Sequence, residues 1–260
     1  MIPSREITIV SITKNDYNGI RRTVESIFRQ EFIKWRLVVV VSSDRDSSLE
    51  YVKKLSETHE NIDYLIPDSL GIYQAMNFAL DRFKPELTWF LNGGDIFRNE
   101  FVLSKSIALI EKNSPSVLIG GYEIIENEKK RQFLRPARQI SPRLFSLNVR
   151  SGNHQAMLFD FSGRQELRFN LDLKLASDFL LVLEILRIKP GLRTSDIFVE
   201  IEPNGVSDLL IEKVWIEKQN AREIIFGRNS VDFLLGKLWT IAVRAKKSLR
   251  NLWKGNHLKQ

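Results

Sequence analysis

The sequence predicts an α/β fold with a mostly parallel central sheet flanked by helices and a C-terminal helical extension. Strand and helix patterns alternate through the first third of the chain, which indicates parallel βαβ units with right-handed crossovers. A short apolar run at 87–91 ends in Asn-Gly-Gly-Asp at 92–95, typical of a buried parallel strand entering a polar loop. From Lys237 onward the chain has Lys and Arg but no Asp or Glu, with apolar residues at helical spacing.

Length and composition limit the possible architectures. A chain of 260 residues with 43% hydrophobic content buries one sizeable core, so we expect one domain at 1–207 and a tail at 208–260. Cysteine is absent, which excludes disulfides, zinc-thiolate sites and cysteine nucleophiles. No apolar signal run opens the sequence and no stretch is long enough to cross a bilayer, so we expect a cytoplasmic protein.

The first third is predicted from β-branched runs and from helical periodicity. Residues 6–12 and 63–66 favour strands, and the continuous apolar run 35–41 is typical of a strand covered on both faces. Apolar residues from Ile20 to Phe28 share one helical face. Helices are therefore predicted at 20–30 and 49–59, each following a polar loop.

The loop at 92–95 has two interpretations from its residues alone. In an open α/β sheet, ligands bind at the carboxyl ends of the strands, where Gly93 and Gly94 allow close approach and Asp95 offers a hard oxygen to a cation. An ordinary turn after a strand explains the same residues. The Gly-x-Gly-x-x-Gly and Walker patterns are missing, so neither a dinucleotide dehydrogenase nor a P-loop enzyme is favoured.

Eight short segments carry a family resemblance in a fixed order. DSLGIYQAMN at 68–77 is similar to the pattern sD.GiYdAmN, and FLNGGD at 90–95 is similar to fLNsGD. The other segments are 7–15, 22–30, 39–48, 153–155, 176–179 and 204–207. Together they resemble the family 2 glycosyltransferases with the GT-A fold, a Rossmann-like sheet, and especially the bacterial branch that builds surface polysaccharides. The resemblance covers about four-fifths of the chain.

The resemblance implies a nucleotide-sugar site over the ends of the first strands. Thr13 and Asn15 would contact the base or ribose, with Asp46 nearby. The family usually has an Asp where this chain has Ser42, so the nucleotide stays open, with a uridine diphosphate sugar our first expectation.

Residues 68–77 would pass beneath that nucleotide. The resemblance implies that Asp68 and Gly71 lie against it, that Asn77 offers its amide to phosphate or sugar oxygens, and that Tyr73 supports the sugar or ribose by stacking. The same residues also predict a helix N-terminus, and both interpretations hold together because helix starts suit anions. That helix would be capped by Asp68 or Ser69 and would bury Ile72, Met76 and Leu80.

Asn92, Gly93 and Gly94 correspond to the family's diphosphate and metal motif, usually Asp-x-Asp. Asp95 is the one carboxylate left in the motif here. One carboxylate, two phosphate oxygens and waters still complete the octahedron of Mg²⁺ or Mn²⁺. We therefore expect a divalent cation that is weakly held without nucleotide and that neutralises the leaving diphosphate.

The resemblance implies that Asp178 is the catalytic base of an inverting transfer, taking the proton of the acceptor hydroxyl. The residues alone favour a commoner role, in which Ser177 or Asp178 caps a helix at 179–187. His154 and Gln155 are expected to contact diphosphate or donor sugar, although a lone His is more often structural.

Two further segments are assigned to the surroundings of this site. The basic stretch 131–150 is expected to fold over the acceptor side. Residues 204–207 would close over the phosphates as a lid hinged at Gly205, or form an ordinary turn.

The tail predicts helices at 209–226 and 231–253. Trp and Leu on one face and cations on the other are typical of a helix bound to an anionic membrane surface, here the inner face of the cell membrane. A final helix packed on the domain explains the first half equally well. Nucleic acid is not favoured, because no aromatic platform accompanies the charge.

These expectations describe an inverting glycosyltransferase that moves a hexosyl or N-acetylhexosaminyl group from a nucleotide-sugar donor to a lipid-linked surface-glycan acceptor. The reduced metal motif and Ser42 leave a rival, a catalytically silent glycan-binding or scaffold homologue. A nucleotidyltransferase is a second rival, but its Gly-rich, Lys-bearing N-terminal loop is absent.

Overall fold

The computed structural model of the chain describes residues 5–67, 71–126, 129–147, 152–203 and 210–257. The strands are β1 Ile7–Thr13, β2 Trp35–Val41, β3 Ile62–Leu65, β4 Leu87–Phe90, β5 Ile96–Phe97, β6 Val117–Glu126, β7 Lys129–Phe133, β8 Arg138–Ile140, β9 Met157–Asp160 and β10 Gly191–Ile201. The helices are α1 Tyr17–Phe28, α2 Leu49–Thr58, α3 Ile72–Phe83, α4 Val102–Asn113, α5 Pro142–Ser146, α6 Ser177–Ile188, α7 Ile211–Phe226 and α8 Val231–His257, with a 3₁₀ turn η1 at His154–Ala156.

The strands form one mixed sheet in the order β3-β2-β1-β4-β9-β6-β10-β5, with β7 paired to β6 and β8 to β10. Strands β1 to β4 are mutually parallel, and β6 is parallel to β10. Strand β9 lies antiparallel between β4 and β6 and joins the two parallel groups. This architecture confirms the predicted α/β fold with a central sheet flanked by helices, in which parallel pairing among the described strands is confined to β1–β4 and to β6 with β10.

Both faces of the sheet are covered, as the continuous apolar run of β2 predicts. Alternate side chains of β2 enter different cores, with Leu37 and Val39 on one face and Val38 and Val40 on the other. All four are fully buried. Trp89 of β4 fills the first core, and its indole Nε1 donates to the carbonyl of Gln155 at 2.6 Å, which attaches η1 to the centre of the sheet.

Helices α2 and α8 start at the predicted residues, Leu49 and Val231, whereas α1 and α6 start earlier than predicted. Helix α1 begins at Tyr17, three residues before the predicted start, since the Asp16 carboxylate accepts from Gly19 N at 2.8 Å. Helix α6 begins at Ser177 after Ala176 at the N-cap position, where no side chain caps it. The prediction that Ser177 or Asp178 caps this helix was therefore wrong.

Helix α3 begins one residue after Gly71, which occupies its N-cap position. Its buried face includes Met76 and Leu80, as predicted, but Ile72 is 42% exposed and lies outside the core. The alternative caps, Asp68 and Ser69, lie outside the described residues.

The two C-terminal helices pack onto the domain in series, α7 against α6 and α8 against α7. The buried Arg222 of α7 connects them, because its guanidinium donates to the Ser146 carbonyl at 2.7 Å and to the Thr240 hydroxyl at 3.3 Å. The division at residue 207 stays a prediction. Within the described ranges, no helix combines the length and apolar character needed to span a bilayer.

Candidate active site

Two carboxylates are bound by the side chains of one turn of the chain. Asp95 follows β4, Asp178 lies in the first turn of α6, and η1 runs between them. Gln155 Nε2 donates to Asp95 Oδ2 at 3.0 Å, and His154 Nδ1 lies 3.3 Å from Asp178 Oδ2. Consecutive residues of η1 therefore hold the two acids of the predicted site.

Asp95 is deeply buried, with 5% of its surface exposed. Its Oδ1 accepts from the backbone N–H of Glu202 at 3.1 Å, at the end of β10. Burial raises the pKa of Asp95 to about 6, against the lowering effect of the Glu202 N–H and the Gln155 amide. A positive ligand beside Asp95 would therefore favour its ionised form.

Asp178 has a different environment, since 22% of its side chain is exposed. The Tyr73 hydroxyl donates to its Oδ1 at 3.1 Å. Burial alone would raise the pKa of Asp178, but the hydrogen bond and charge of His154, followed by the charge of Lys218, hold it below its ordinary value. Asp178 is thus an oriented carboxylate that is ionised at neutral pH.

Position 94 requires glycine because of its backbone conformation and because a neighbouring side chain lies very close to it. Gly94 has a φ of +98°, and a Cβ built there would lie 2.7 Å from Oε2 of Glu202. The Glu202 carboxylate, which also pairs with Arg22, therefore lies directly against the 92–95 loop. Glu202 is a site residue that the sequence reasoning missed, because it follows an unremarkable strand and belongs to no acidic motif.

The oxygen groups near Asp95 fit a divalent cation that shares a diphosphate. The buried Asn92 Oδ1 has no hydrogen-bond partner among the described residues, and the carboxylates of Asp95 and Glu202 lie beside the same loop. Mg²⁺ and Mn²⁺ prefer oxygen ligands and commonly take only one or two carboxylates from the protein. The described residues contain no group of three His, Asp or Glu side chains that could hold a metal ion, so substrate oxygens would complete the shell.

The loops after β1 and β2 are joined at the expected nucleotide side. Asn15, at a φ of +52°, donates its backbone N–H to Asp46 Oδ2 at 2.8 Å. Asp46 also accepts from the hydroxyl of Ser42 at 2.7 Å, and Thr13 Oγ1 lies 3.1 Å from Ser48 Oγ. Burial would raise the pKa of Asp46, but these N–H and hydroxyl donors hold it below the ordinary value. Asp46 therefore organises this edge of the sheet.

Three residues of the 71–77 segment have contacts other than those expected. The buried Tyr73 ring stacks on Phe169 with centroids 5.2 Å apart, and its hydroxyl orients Asp178. Asn77 pairs with the backbone of Phe169, donating at 2.8 Å and accepting at 2.9 Å, so its amide anchors a loop. Gly71 has an ordinary φ of −69°, and its N–H donates to Gln74. Asp68 and the lid predicted at 204–207 lie outside the described residues.

Helix α7 contributes groups that the sequence reasoning placed in a separate tail. Glu217 Oε2 accepts from Leu175 N at 2.7 Å and from Ala176 N at 3.0 Å, immediately before Asp178. The charge of Lys218 lowers the pKa of Asp178. An amphipathic pattern identifies the helix but not the neighbour it faces, so no local signal marks these two residues.

Comparisons with known proteins identify the family and the fold of the chain. Residues 8–172 match the family described as "Glycosyl transferase family 2". A Mycobacterium tuberculosis (strain H37Rv) protein named "Uncharacterized glycosyltransferase Rv1514c" is 24% identical over 209 residues, which are 79% of this chain and 78% of that protein.

Solved structures share the fold. Residues 1–349 of S. aureus TarS in complex with UDP-GlcNAc superpose with a TM-score of 0.69 at 17% identity, over 87% of this chain and 67% of that one. The mannosyltransferase PcManGT from Pyrobaculum calidifontis, in complex with GDP-Man and Mn²⁺, gives a TM-score of 0.61 at 14% identity, over 98% of this chain and 81% of that one. The family match spans more than half of the chain, and the chain therefore belongs to glycosyl transferase family 2, with the GT-A fold.

Proposed function

We propose that the protein transfers a sugar from a nucleotide diphosphate donor, with inversion, to a hydroxyl of a lipid-linked surface glycan. The observation that carries the proposal is the pair of acids held by His154 and Gln155 at the carboxyl edge of the parallel strands. Asp95 lies on the side of the loops that follow β1 and β4, and Asp178 lies beyond η1. An inverting displacement needs this separation of leaving group and base.

The chain's own groups have distinct roles in this reaction. Asp178 accepts the proton of the attacking hydroxyl, because its lowered pKa keeps it ionised and His154 and Tyr73 fix its orientation. Asn92 and Asp95, with Glu202, would hold a divalent cation, which neutralises the leaving diphosphate when bound. The Asp46-linked loops receive the nucleotide.

The donor proposal favours a uridine diphosphate sugar and a hexosyl or N-acetylhexosaminyl group. The similarity to a TarS structure that contains UDP-GlcNAc supports it, and the Mn²⁺ in the mannosyltransferase structure supports the cation. A thermal-shift screen of nucleotide sugars with and without Mn²⁺ tests both, since a ligand that binds only the folded state raises its stability. We expect the largest shift with a UDP-sugar and Mn²⁺ together, and equal shifts without Mn²⁺ would contradict the cation assignment.

The base assignment is tested with Asp178→Asn. Loss of a general base lowers turnover by about 10²–10⁴-fold, so donor hydrolysis and transfer should fall to that extent while donor binding persists. Asp172→Asn, which removes an exposed carboxylate six residues earlier, is the matched control and should keep its activity. Full activity of Asp178→Asn would remove Asp178 from the role of base.

The same assays distinguish the rival functions. A catalytically silent homologue would bind a donor without turnover in the unmodified protein. A nucleotidyltransferase would release pyrophosphate from a nucleoside triphosphate and a sugar phosphate.

We also propose that α8 holds the enzyme against the anionic inner face of the cell membrane. One stripe of the helix is apolar and exposed at Val231, Leu234, Leu238 and Ile241, while Phe233 on another face is buried. After Asp232 the sequence has seven Lys and Arg residues and no acid. Exposed apolar residues and cations together suit anionic lipid.

Vesicle flotation tests this attachment. Leu234→Ser/Leu238→Ser should lower binding to vesicles that contain anionic lipid, because it interrupts the exposed stripe. The matched control, Ile216→Ser/Ile224→Ser, removes two exposed isoleucines from α7 and should bind as the unmodified protein does. Equal flotation of the two variants would contradict the assignment to α8.

A further inference from the structure

Arg193 on β10 is a buried cation without a compensating partner. Only 8% of its surface is exposed, and no carboxylate of the described residues acts on its guanidinium charge. Burying a charge is costly unless it is paired. The fold therefore places a guanidinium that has little exposed surface and no paired acid at the wall of a cavity, where an anionic ligand would neutralise it.

The charged groups that act on Arg193 have the same sign as its own charge. Arg138 of β8 lies opposite it in the β8–β10 register, and Arg135 is nearby. Burial and then these two arginines lower the pKa of Arg193 from its ordinary value. No carboxylate in the described part of the chain offsets that effect on Arg193.

The acids on β6 and β10, Glu123 and Asp196, are not among the groups that act on the charge of Arg193. Glu123 on β6 is fully buried and lies 3.1 Å from Arg98, and it also accepts from Gln132 at 3.0 Å. Asp196 accepts from the hydroxyl of Thr194 at 2.6 Å. The positive charge around Arg193 thus stays uncompensated by the described protein groups.

A cavity of about 200 Å³ opens beside these groups. Arg193 and Arg135 contribute to its lining, with Thr194, Gln132 and Tyr122. This volume accommodates a phosphate or carboxylate group with part of the sugar that carries it. Guanidinium groups present paired donors that match the oxygens of both anions.

The cavity lies on the far side of η1 from the nucleotide loops. Gly152, two residues before His154, is part of its wall. Ile119, also in the wall, pairs with Arg193 on one side and with Met157 on the other, and Met157 directly follows η1. The strand order β1-β4-β9-β6-β10 separates this cavity from the loops of β1 and β2.

We propose that this cavity binds a phosphate or carboxylate group of the acceptor, so that the enzyme selects an anionic glycan. The assignment of the anion to an acceptor rests on the proposed transferase function, whereas the anion site does not. Arg193 supplies the buried contact, and the exposed Arg135 guides the anion into the cavity. The base Asp178 then receives an acceptor hydroxyl on the η1 side of the bound anion.

Arginine-resolved NMR tests the anion site directly and needs no turnover. The full-length protein is titrated with inorganic phosphate, and the Nε–Hε signals of arginine are followed at constant ionic strength. The signal that is absent from the spectrum of the Arg193→Gln variant belongs to Arg193. In the unmodified protein this signal should shift saturably as phosphate is added. In the Arg135→Gln variant the Kd for the same shift should be at least tenfold higher. Arg29→Gln removes an exposed arginine at the end of α1 and should leave the Kd within twofold.

Two results would overturn the proposal: no saturable shift of the Arg193 signal, or equal Kd values in Arg135→Gln and Arg29→Gln. Because Arg135 is exposed, its variant keeps the test valid if Arg193→Gln does not fold. Glycerol 3-phosphate and glucuronate, titrated in the same way, distinguish phosphate from carboxylate recognition. Anion binding without any transferase activity would contradict the proposed function and leave the anion site intact.

Discussion

Asp95 and Asp178 have opposite electrostatic settings although one turn holds both. Burial raises the pKa of Asp95 to about 6, while His154 and its other donors keep the pKa of Asp178 low. The ionised Asp178 suits proton acceptance, and Asp95 gains from a cation that offsets its buried charge. The difference between the two acids comes from their immediate partners and not from their residue type.

Gly94→Ala should be more harmful than the same change at another glycine of positive φ. Gly94 combines its φ of +98° with the approach of the Glu202 carboxylate, whereas Gly163 has a φ of +69° and no group within 4 Å of the place that an alanine methyl would occupy. Alanine costs about 1–2 kcal/mol at either position through backbone strain, with about 1–3 kcal/mol more at Gly94 from the clash. Urea unfolding of both variants measures the difference, and equal losses would argue against the contact with Glu202.

The sequence identified the residues of this site better than it identified their partners. Asp95, Asp178, His154 and Gln155 were all singled out, and η1 brings them together. Asn77 was expected to face a ligand, yet its amide pairs with the backbone of Phe169. A sequence motif gives the identity of a side chain but not its hydrogen-bond partner. The partner of the Asn77 amide lies in a loop about ninety residues further along the chain.

Glu217 of helix α7 holds the segment that leads to Asp178, the proposed base. Its carboxylate accepts from two backbone N–H groups immediately before Asp178, so Glu217→Ala should leave that segment poorly positioned. We expect a loss of kcat of about tenfold, corresponding to about 1.4 kcal/mol, with a smaller change in KM for the donor. Glu217→Gln keeps an acceptor oxygen and should restore most of the activity.

Glu223→Gln on the same helix is the matched control, since within the described ranges its carboxylate forms only an exposed 3.9 Å contact with Arg228. Equal kcat values for the Glu217→Ala and Glu223→Gln variants would refute a positioning role for Glu217.

An ion pair at the end of β9 makes a pH-dependent contribution to the stability of the fold. Arg5 donates to both oxygens of Asp160, at 3.1 and 2.9 Å. Burial would raise the pKa of Asp160, but Arg5 and Ser162 hold it below its ordinary value. The pKa of Asp160 is therefore lower in the folded protein than in the unfolded chain. The ion pair stabilises the fold fully when the pH is above the unfolded-state pKa, and this stabilisation is lost as the pH falls through the folded-state pKa.

Arg5→Met should accordingly lower the free energy of unfolding by about 1–3 kcal/mol at neutral pH, and the deficit should shrink in acid as Asp160 becomes protonated. Urea unfolding at about pH 7 and about pH 3 checks this. Arg21→Met breaks an exposed pair with Glu25 and should have little effect at either pH. A deficit in Arg5→Met that stays constant with pH would contradict the role of the Asp160 charge.

The bounds of a strand or helix were predictable from the sequence where a single pattern of apolar residues determined them. The continuous apolar run gave β2 its observed bounds, Trp35–Val41, because a strand buried on both faces needs no alternation. Helix α1 started earlier than its apolar face, since Asp16 caps it before the first buried position. The long-range partners of α7 were not predictable, because they depend on how the chain returns to the sheet.

Across the whole molecule, the sheet places the three proposed sites in a row along the strand order. The loops of β1 and β2 lie at one side, η1 with its two acids lies at the centre, and the Arg193 cavity lies beyond it. Helix α8 connects to this arrangement through Arg222 of α7, which also bonds to the end of α5. Attachment of α8 to a membrane would therefore fix the orientation of the acceptor side relative to the lipid surface.

The indole of Trp89 holds the backbone of η1 from inside the core, and the two side chains that emerge there serve different acids. In the proposed reaction, proton removal and departure of the diphosphate would therefore depend on the same turn of the chain. Inserting one residue between His154 and Gln155 would turn one of these side chains away from its acid while the other stayed in place. The proposed base and the diphosphate site would then no longer be aligned with each other.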